Sequence, residues 1–193
     1  MIPGHVVRLR LRPAGAVVAT LDARTEFGSP QTFAIVARKG RWVGVTTSEL
    51  PNGRVGWLRD NRSIRVTPTS VKLVLDLSRR RLLLFDGRRA LRRMTVGIGG
   101  ASSPTPRGRF AVTDKLLGSR YGADYGCCIL ALSAHQPRLP AGWRGGDRIA
   151  IHGTTDAGSI GAATSAGCPH ARNSDLRVLF RAVPLGAPVI IRR

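Results

Sequence analysis

Short apolar runs separated by turn residues are the feature that most constrains how this 193-residue chain can fold. The runs are rich in valine, isoleucine and leucine, and glycine and proline recur between them, with 23 and 12 copies. Asp86-Gly87 joins two of the runs and is a hairpin signal. Short β-prone runs bounded by turns indicate strands, so we predict a mainly β protein. The clearest predicted strands span residues 71–77, 81–85, 90–98, 110–112, 128–132, 148–152 and 188–191.

A helix is predicted just before the last of these strands. Apolar residues recur at positions i, i+3, i+4 and i+7 from Leu176, which is the spacing of one helical face. Asn173 or Ser174 can accept a hydrogen bond from the first free backbone amides, so we expect one of them to cap the helix. Pro184 ends the pattern because proline cannot continue a helix. We therefore expect one or two helices packed against a sheet.

Residues 1–67 are predicted to form a small β domain ahead of a larger domain at residues 70–193. Short β-prone runs cover 6–11, 33–37, 41–45 and 53–58, and residues 67–70 (Thr-Pro-Thr-Ser) have the composition of a linker. A strand with tryptophan, a Pro-Asn-Gly turn and a Gly-Trp strand follow one another, an order that resembles bacterial SH3-like domains. Such domains are small β-barrels, and any other small β-module is an equal alternative.

Basic residues outnumber acidic ones by 31 to 11, which gives a formal net charge of +20. A strongly basic protein is attracted to polyanions such as nucleic acid, anionic lipid or an acidic cell-wall polymer. Many of the arginines lie beside apolar runs, where they also discourage edge-to-edge pairing of strands. The sequence has no phosphate-binding loop and no row of aromatic residues on which bases could stack. These absences argue against nucleic-acid binding.

No membrane or export segment is predicted from the sequence. No apolar run approaches about 20 residues, the length that spans a bilayer. No basic start is followed by a long apolar stretch, so no signal peptide is predicted. Either the protein is cytosolic or its export segment has been removed.

The cysteines direct attention to a single thiol. The chain has three, Cys127, Cys128 and Cys168, and an odd number is a poor disulfide framework. Because adjacent cysteines do not bridge easily, we expect Cys127 and Cys128 to pack as small apolar side chains. No Cys-x-x-Cys spacing suggests zinc, and Cys168 with His152 and His170 lacks a known ligand spacing. Cys168 therefore stands alone as the candidate reactive thiol.

His152 and Cys168 have the residue types of a nucleophile and its base. A free thiol has a pKa of about 8.5, so it needs a neighbouring imidazole to accept its proton at neutral pH. Gly167 lets the backbone approach a substrate carbonyl closely, and the amides of Gly167 and Cys168 could bind the developing oxyanion. A buried, inert cysteine is the alternative to this interpretation.

Several segments around these residues occur in a recognisable order. They are His152-Gly153, Ser165-Ala166-Gly167-Cys168 and Arg172-Asn173-x-Asp175, preceded by the loop and strand at 97–110 and followed by the last strand at 184–191. Together they resemble the signature of L,D-transpeptidases, bacterial cell-wall enzymes with a YkuD-type catalytic domain. The resemblance covers residues 70–193, about two-thirds of the chain.

The resemblance implies a β-rich catalytic domain and a cysteine acyltransferase. Cys168 would attack a tetrapeptide stem of peptidoglycan at its third residue, a meso-diaminopimelate, releasing D-Ala and forming a thioester. His152, oriented by the main-chain carbonyl of Gly153, would act first as base and then as acid. An amine of a second stem would then give a 3→3 cross-link, whereas water would make the enzyme an L,D-carboxypeptidase.

The same resemblance implies the partners and the compartment. No metal or cofactor is expected, and a β-lactam such as a carbapenem is expected to inhibit covalently. The working protein would lie in the cell envelope, outside the cytoplasmic membrane. The first domain would position the enzyme on the wall or act as a spacer, and the positive charge would favour adhesion to anionic wall polymers. Substrate contacts are expected from Ser165, His170, Arg172 and Tyr121.

The sequence departs from the usual family pattern at two positions. The common motif has histidine where this chain has Ala166, and it often has arginine or asparagine where this chain has His170. Arg172 is an alternative for the missing arginine, and His170 is an alternative contact for the thiol. Either departure would lower the activity or change the substrate. An inactive peptidoglycan-binding or polyanion-binding module on the same fold is therefore the alternative function.

Three further residues have two interpretations each. His135 either lines the cleft or is a loop or cap residue, and the second interpretation is preferred. Tyr121 and Tyr125 lie in a glycine-rich segment that either forms a lid over the stem peptide or simply packs as a loop.

Overall fold

The computed structural model describes residues 1–2 and 6–193 and confirms the predicted mainly β fold. A helix, α1 (Asn173–Ala182), occupies the position that the apolar spacing predicts. In chain order the strands are β1 (Val7–Arg10), β2 (Val17–Leu21), β3 (Ala34–Lys39), β4 (Trp42–Thr46), β5 (Gly56–Arg59), β6 (Val71–Asp76), β7 (Arg81–Asp86), β8 (Arg89–Thr95), β9 (Ile98–Gly99), β10 (Gly108–Leu117), β11 (Cys128–His135), β12 (Arg148–Thr154), β13 (Ala163–Ser165), β14 (His170–Arg172) and β15 (Pro188–Arg192).

The first five strands form a sheet of their own in the order β2-β1-β5-β4-β3. Its pairs are antiparallel, and the alternating side chains bury Leu9, Val43, Val45 and Leu58 in a small core. The segment between β5 and β6 has no regular secondary structure. The SH3-like character of this unit stays a prediction.

The later strands form an eight-stranded sheet in the order β14-β12-β11-β10-β15-β6-β7-β8. The central strands β10 and β11 each contain a run of consecutive buried residues, because both faces of the sheet are covered there. Helix α1 packs on one face through Leu176 and Leu179, which are fully buried. The short strands β9 and β13 pair with each other beside this sheet.

The cap predicted for α1 is wrong. No side chain caps the helix, and Asn173 is already its first residue. The Asn173 side chain is used elsewhere: its Oδ1 accepts the Cys127 backbone N–H at 2.8 Å, and its Nδ2 donates to the Thr154 carbonyl at 3.3 Å. The amide therefore ties the segment before β11 to the end of β12.

The two neighbouring cysteines differ from their prediction. The structure joins Cys127 and Cys128 in a disulfide, so the expectation that adjacent cysteines do not bridge is wrong here. Cys127 lies just before β11, where Asn173 holds its backbone amide, and the bridge forms at this irregular entry to the strand. Cys128 is buried in the core of the large sheet, as an apolar side chain would be. Cys168 is left as the free thiol of the described residues.

His135 joins the two sheets at the end of β11. Its backbone exchanges two hydrogen bonds with the Asn52 side chain, at 2.6 and 2.9 Å. Its ring nitrogens contact the Ser48 carbonyl at 2.7 Å and the Asp147 carboxylate at 2.9 Å. Arg148 also pairs with Glu26 of the first unit. The eight-stranded sheet is thus held against the first unit at the end of β11 and the start of β12.

Candidate active site

His152 lies near the end of β12 and is buried, with 6% of its surface exposed. Its Nδ1 is 2.7 Å from the carbonyl oxygen of Gly153. Because a carbonyl can only accept a hydrogen bond, Nδ1 must carry the proton and Nε2 must be unprotonated in the neutral ring. This contact fixes the tautomer that a general base requires.

Cys168 lies between β13 and β14 and approaches the same strand. Its Sγ accepts a hydrogen bond from the backbone N–H of Ala150 at 3.4 Å. Ala150 precedes His152 by two residues on β12, and His170, two residues after Cys168, pairs with His152 across the parallel β12-β14 ladder. The fold therefore places Cys168, the predicted nucleophile, against β12, the strand that carries His152, the predicted base.

Burial keeps both groups neutral near pH 7. It lowers the pKa of His152 to about 4, helped by the charge of His170 and partly opposed by the hydrogen bond to Gly153. Burial also raises the pKa of Cys168, and the Ala150 amide opposes this rise. The resting pair is thus a thiol and a neutral imidazole rather than an ion pair.

His170 lies directly beside His152. The centroids of the two rings are 4.6 Å apart, and burial lowers the pKa of His170 as well. Its Nδ1 is buried without a hydrogen-bond partner among the described residues. One of the two residues that depart from the family pattern therefore lies next to His152, the predicted base.

The loop that carries Cys168 is held by Gln136, which is buried at the end of β11. Its Nε2 lies within 3.0 Å of the Ala166 carbonyl and 3.2 Å of the carbonyls of Ser103 and Pro104. Nothing in the sequence singles out this residue, because a glutamine after a strand is an ordinary surface residue. Thr105 adds a second tie, since its hydroxyl donates to the Gly167 carbonyl at 2.7 Å.

Ser165 shapes the turn around the nucleophile. Its hydroxyl donates to the Cys168 carbonyl at 2.8 Å and accepts the Gly167 amide at 3.1 Å. The Gly167 amide is therefore already engaged in this structure. Its predicted role as an oxyanion donor requires release from Ser165.

Tyr121 and Tyr125 lie over the imidazole side of the site. The Tyr125 ring is centred 4.9 Å from that of His152, and the Tyr121 ring is centred 6.3 Å from that of Tyr125. Phe27 of the first unit lies 6.3 Å from Tyr121, also edge to face. A row of rings thus runs from the first unit to His152. The lid and the loop-packing interpretations of this segment both stay predictions.

Arg172 is exposed at the start of α1. Its side chain makes no hydrogen bond or ion pair with any residue in the described part of the chain. The predicted substrate contact through Arg172 therefore has no further support from its surroundings.

The part of the chain that holds the large sheet, Cys168 and His152 matches a known family. A family model described as the YkuD L,D-transpeptidase catalytic domain matches residues 70–191. The chain belongs to this family. The resemblance predicted from the segments around His152 and Cys168 is thereby confirmed.

Curated L,D-transpeptidases are distant relatives. A putative L,D-transpeptidase YkuD of Bacillus licheniformis is 29% identical over 120 residues, which are 62% of this chain and 64% of that protein. A probable L,D-transpeptidase ErfK/SrfK of Salmonella typhimurium is 29% identical over 142 residues, 65% of this chain and 46% of that protein. The chain thus spans less than two-thirds of the length of either relative.

Solved L,D-transpeptidase structures share the fold at low identity. L,D-transpeptidase 3 of Mycobacterium tuberculosis, in complex with a faropenem-derived adduct, aligns with a TM-score of 0.55 and 16% identity, over 84% of this chain and 94% of that one. An L,D-transpeptidase of Mycobacterium smegmatis aligns with a TM-score of 0.50 and 18% identity, over 86% of this chain and all of that one.

Two features are absent from the described residues. No helix there is both long and apolar enough to cross a membrane. No group of three or more histidine, cysteine, aspartate or glutamate side chains is arranged there to hold a metal ion.

Proposed function

We propose that this protein is a cysteine acyltransferase that acts on the stem peptides of peptidoglycan. The observation that carries the proposal is the placement of Cys168 beside the strand that holds a buried, tautomer-fixed His152, on an L,D-transpeptidase fold. The relatives support the substrate class, because L,D-transpeptidases act on peptidoglycan. The neutral resting pair defines the mechanism.

In the first step, Cys168 Sγ attacks the carbonyl carbon that links meso-diaminopimelate to the terminal D-Ala. The thiol proton passes to Nε2 of His152, while Nδ1 stays bonded to the Gly153 carbonyl. The resulting imidazolium then protonates the amine of D-Ala as the C–N bond breaks. D-Ala leaves, and the stem remains bound to the enzyme as a thioester.

In the second step, the amine of a second stem attacks the thioester. His152 accepts a proton from this amine and returns it to the sulfur as the C–S bond breaks. The products are a 3→3 cross-link and the free thiol. When water replaces the amine, the same steps give a tripeptide, which is the carboxypeptidase reaction.

The negative charge that develops on the attacked oxygen needs hydrogen-bond donors. The amide of Cys168 lies at the nucleophile itself, and the Gly167 amide becomes available when Ser165 releases it. Backbone donors aimed at the developing oxyanion stabilise it, and the Gly167 amide contributes only after its bond to Ser165 has broken. Ser165 would then keep the turn closed through its bond to the Cys168 carbonyl.

The proposed activity also implies the compartment in which the protein works and the compounds that inhibit it. Peptidoglycan lies outside the cytoplasmic membrane, and a structural disulfide such as Cys127–Cys128 persists in oxidising compartments. The faropenem-derived adduct of the Mycobacterium tuberculosis relative supports covalent inhibition by β-lactams here too. The net charge of +20 would favour retention by anionic wall polymers, and the first unit would help to position the enzyme.

The proposal is tested with a purified disaccharide-tetrapeptide that contains meso-diaminopimelate. Mass spectrometry is expected to show loss of D-Ala together with cross-linked dimers or tripeptide. A His152→Gln variant is expected to lose about 100-fold or more of this activity, because the general base is removed. Sedimentation with peptidoglycan without any release of D-Ala would instead identify an inactive wall-binding module.

The pH dependence of acylation follows from the low pKa of His152. Only the neutral imidazole accepts the thiol proton, so the rate falls where His152 becomes protonated, near its pKa of about 4. The rate of acylation by a carbapenem is therefore expected to be nearly constant between about pH 6 and pH 8. Replacing His170 by asparagine removes a neighbouring positive charge, so the pKa of His152 should rise. The pH below which the acylation rate falls should rise with it.

Stopped-flow or intact-mass time courses at a series of pH values measure this profile. An acid limb near 6.5, the ordinary pKa of histidine, would show that His152 is solvated in the working enzyme. If the acylation rate of His170→Asn falls at the same pH as that of the wild type, the two rings do not interact.

A further inference from the structure

A groove lined by arginines lies beside the loop that carries the nucleophile. It has a volume of about 710 Å³ and is formed where β6, β11 and β15 end and β10 begins. We call it the arginine groove; the residues that matter to the argument are Pro104, Thr105, Arg107, Pro137, Arg138 and Arg193.

The charge of the groove is uncompensated. Three of its lining residues are arginines, and none is an aspartate or glutamate. Within the described part of the chain, the side chains of Arg107, Arg138 and Arg193 form no ion pair. Most arginines of this basic chain lack such a partner among the described residues, the exceptions being Arg38, Arg79, Arg92 and Arg148. The groove differs because it gathers three unpaired guanidinium groups, whose positive charges attract an anion.

The groove is connected directly to the nucleophile loop. Thr105 lines the groove, and its hydroxyl holds the carbonyl of Gly167, the residue before Cys168. The Gln136 amide links the carbonyl of Pro104, which also lines the groove, to the carbonyl of Ala166. A ligand in the groove would therefore lie against the same residues that set the position of the thiol.

We infer that the arginine groove binds carboxylates of the stem peptide, an inference that rests on the proposed function. One carboxyl group of meso-diaminopimelate forms the amide with D-Ala that Cys168 attacks, and the other is free in the stem. The planar guanidinium group pairs with such a free carboxylate through two parallel hydrogen bonds. The carboxylate can belong to the donor stem or to the acceptor stem.

The test compares the double variant Arg107→Gln/Arg138→Gln with Arg88→Gln/Arg89→Gln, a matched loss of two charges at the exposed β7-β8 hairpin. Each variant is examined in two assays, or arms, with the disaccharide-tetrapeptide as donor. The first arm measures KM for D-Ala release with water as acceptor, and the second arm measures KM for an added acceptor stem. The groove variant is expected to raise one of these KM values about tenfold with kcat retained, and the arm that responds identifies the stem.

Two results would overturn the inference. One is an unchanged KM in both arms, and the other is an equal rise in the hairpin variant, which would show only a general effect of net charge. Acylation by a carbapenem is followed in the same samples. If the wild-type protein forms no adduct and releases no D-Ala, the proposed function fails. If both occur and the groove variant matches wild type, only the groove assignment fails.

Discussion

Replacing Cys168 by alanine is expected to abolish the covalent adduct that a carbapenem forms with this protein. The thiol adds to the β-lactam carbonyl, the ring C–N bond breaks, and the thiol proton passes through His152 to the ring nitrogen. No atom leaves in this reaction, so the mass of the wild-type protein should rise by that of one whole inhibitor. Alanine has no nucleophile, so the variant should show no increase.

Intact mass spectrometry of both proteins, under the same conditions, measures this outcome. Peptide mapping should place the adduct on Cys168, because Cys127 and Cys128 share a disulfide and offer no thiol. Release of D-Ala from the tetrapeptide should fall by about a thousandfold or more in the same variant. An adduct that persists in Cys168→Ala, or that maps to Cys127 or Cys128, would contradict the assignment of the nucleophile.

The strands and the helix could be predicted because they depend on local pattern. The Asp86-Gly87 hairpin and the apolar face that begins at Leu176 each follow from neighbours along the chain, and both are found in the structure. The family could be identified for a similar reason. Its signature segments, including His152-Gly153 and Gly167-Cys168, keep their order along the sequence.

The contacts between distant segments could not be predicted. Gln136 reaches Ala166 across 30 residues, and Asn173 gives up its expected capping role to hold Cys127, 46 residues away. Both depend on register and packing that only the folded sheet creates. The placement of His170 against His152 likewise follows from the parallel β12-β14 pairing, which no local spacing encodes.

Gly167→Ala is expected to produce the second-largest loss of activity, through the backbone. Gly167 has a φ of +125°, a region that favours glycine, so an alanine there costs about 1–3 kcal/mol in backbone strain. A Cβ at this position would also overlap Nε2 of Gln136. Gln136 would have to move and would lose its hold on the Ala166 carbonyl, so Cys168 would shift with its loop.

A displacement of about 1 Å at a reacting atom can reduce the rate about 100-fold, and we expect a loss of that size in carbapenem acylation by Gly167→Ala. Gly146→Ala is the control for a glycine-to-alanine change without strain or overlap, because Gly146 lacks a positive φ and a Cβ there meets no atom within 4 Å. A Gly167→Ala protein with wild-type acylation would contradict the account of the loop.

The double variant Gly167→Ala/Gln136→Ala separates the two causes of that loss. If overlap with Gln136 dominates, removing the glutamine side chain should restore part of the acylation rate, even though Gln136→Ala alone lowers it. If the positive φ dominates, the double variant should be no faster than Gly167→Ala. Partial rescue would show that Gln136 acts on the reaction through the position of Cys168, since its Nε2 donates to the loop carbonyls of Ser103, Pro104 and Ala166 rather than to the thiol.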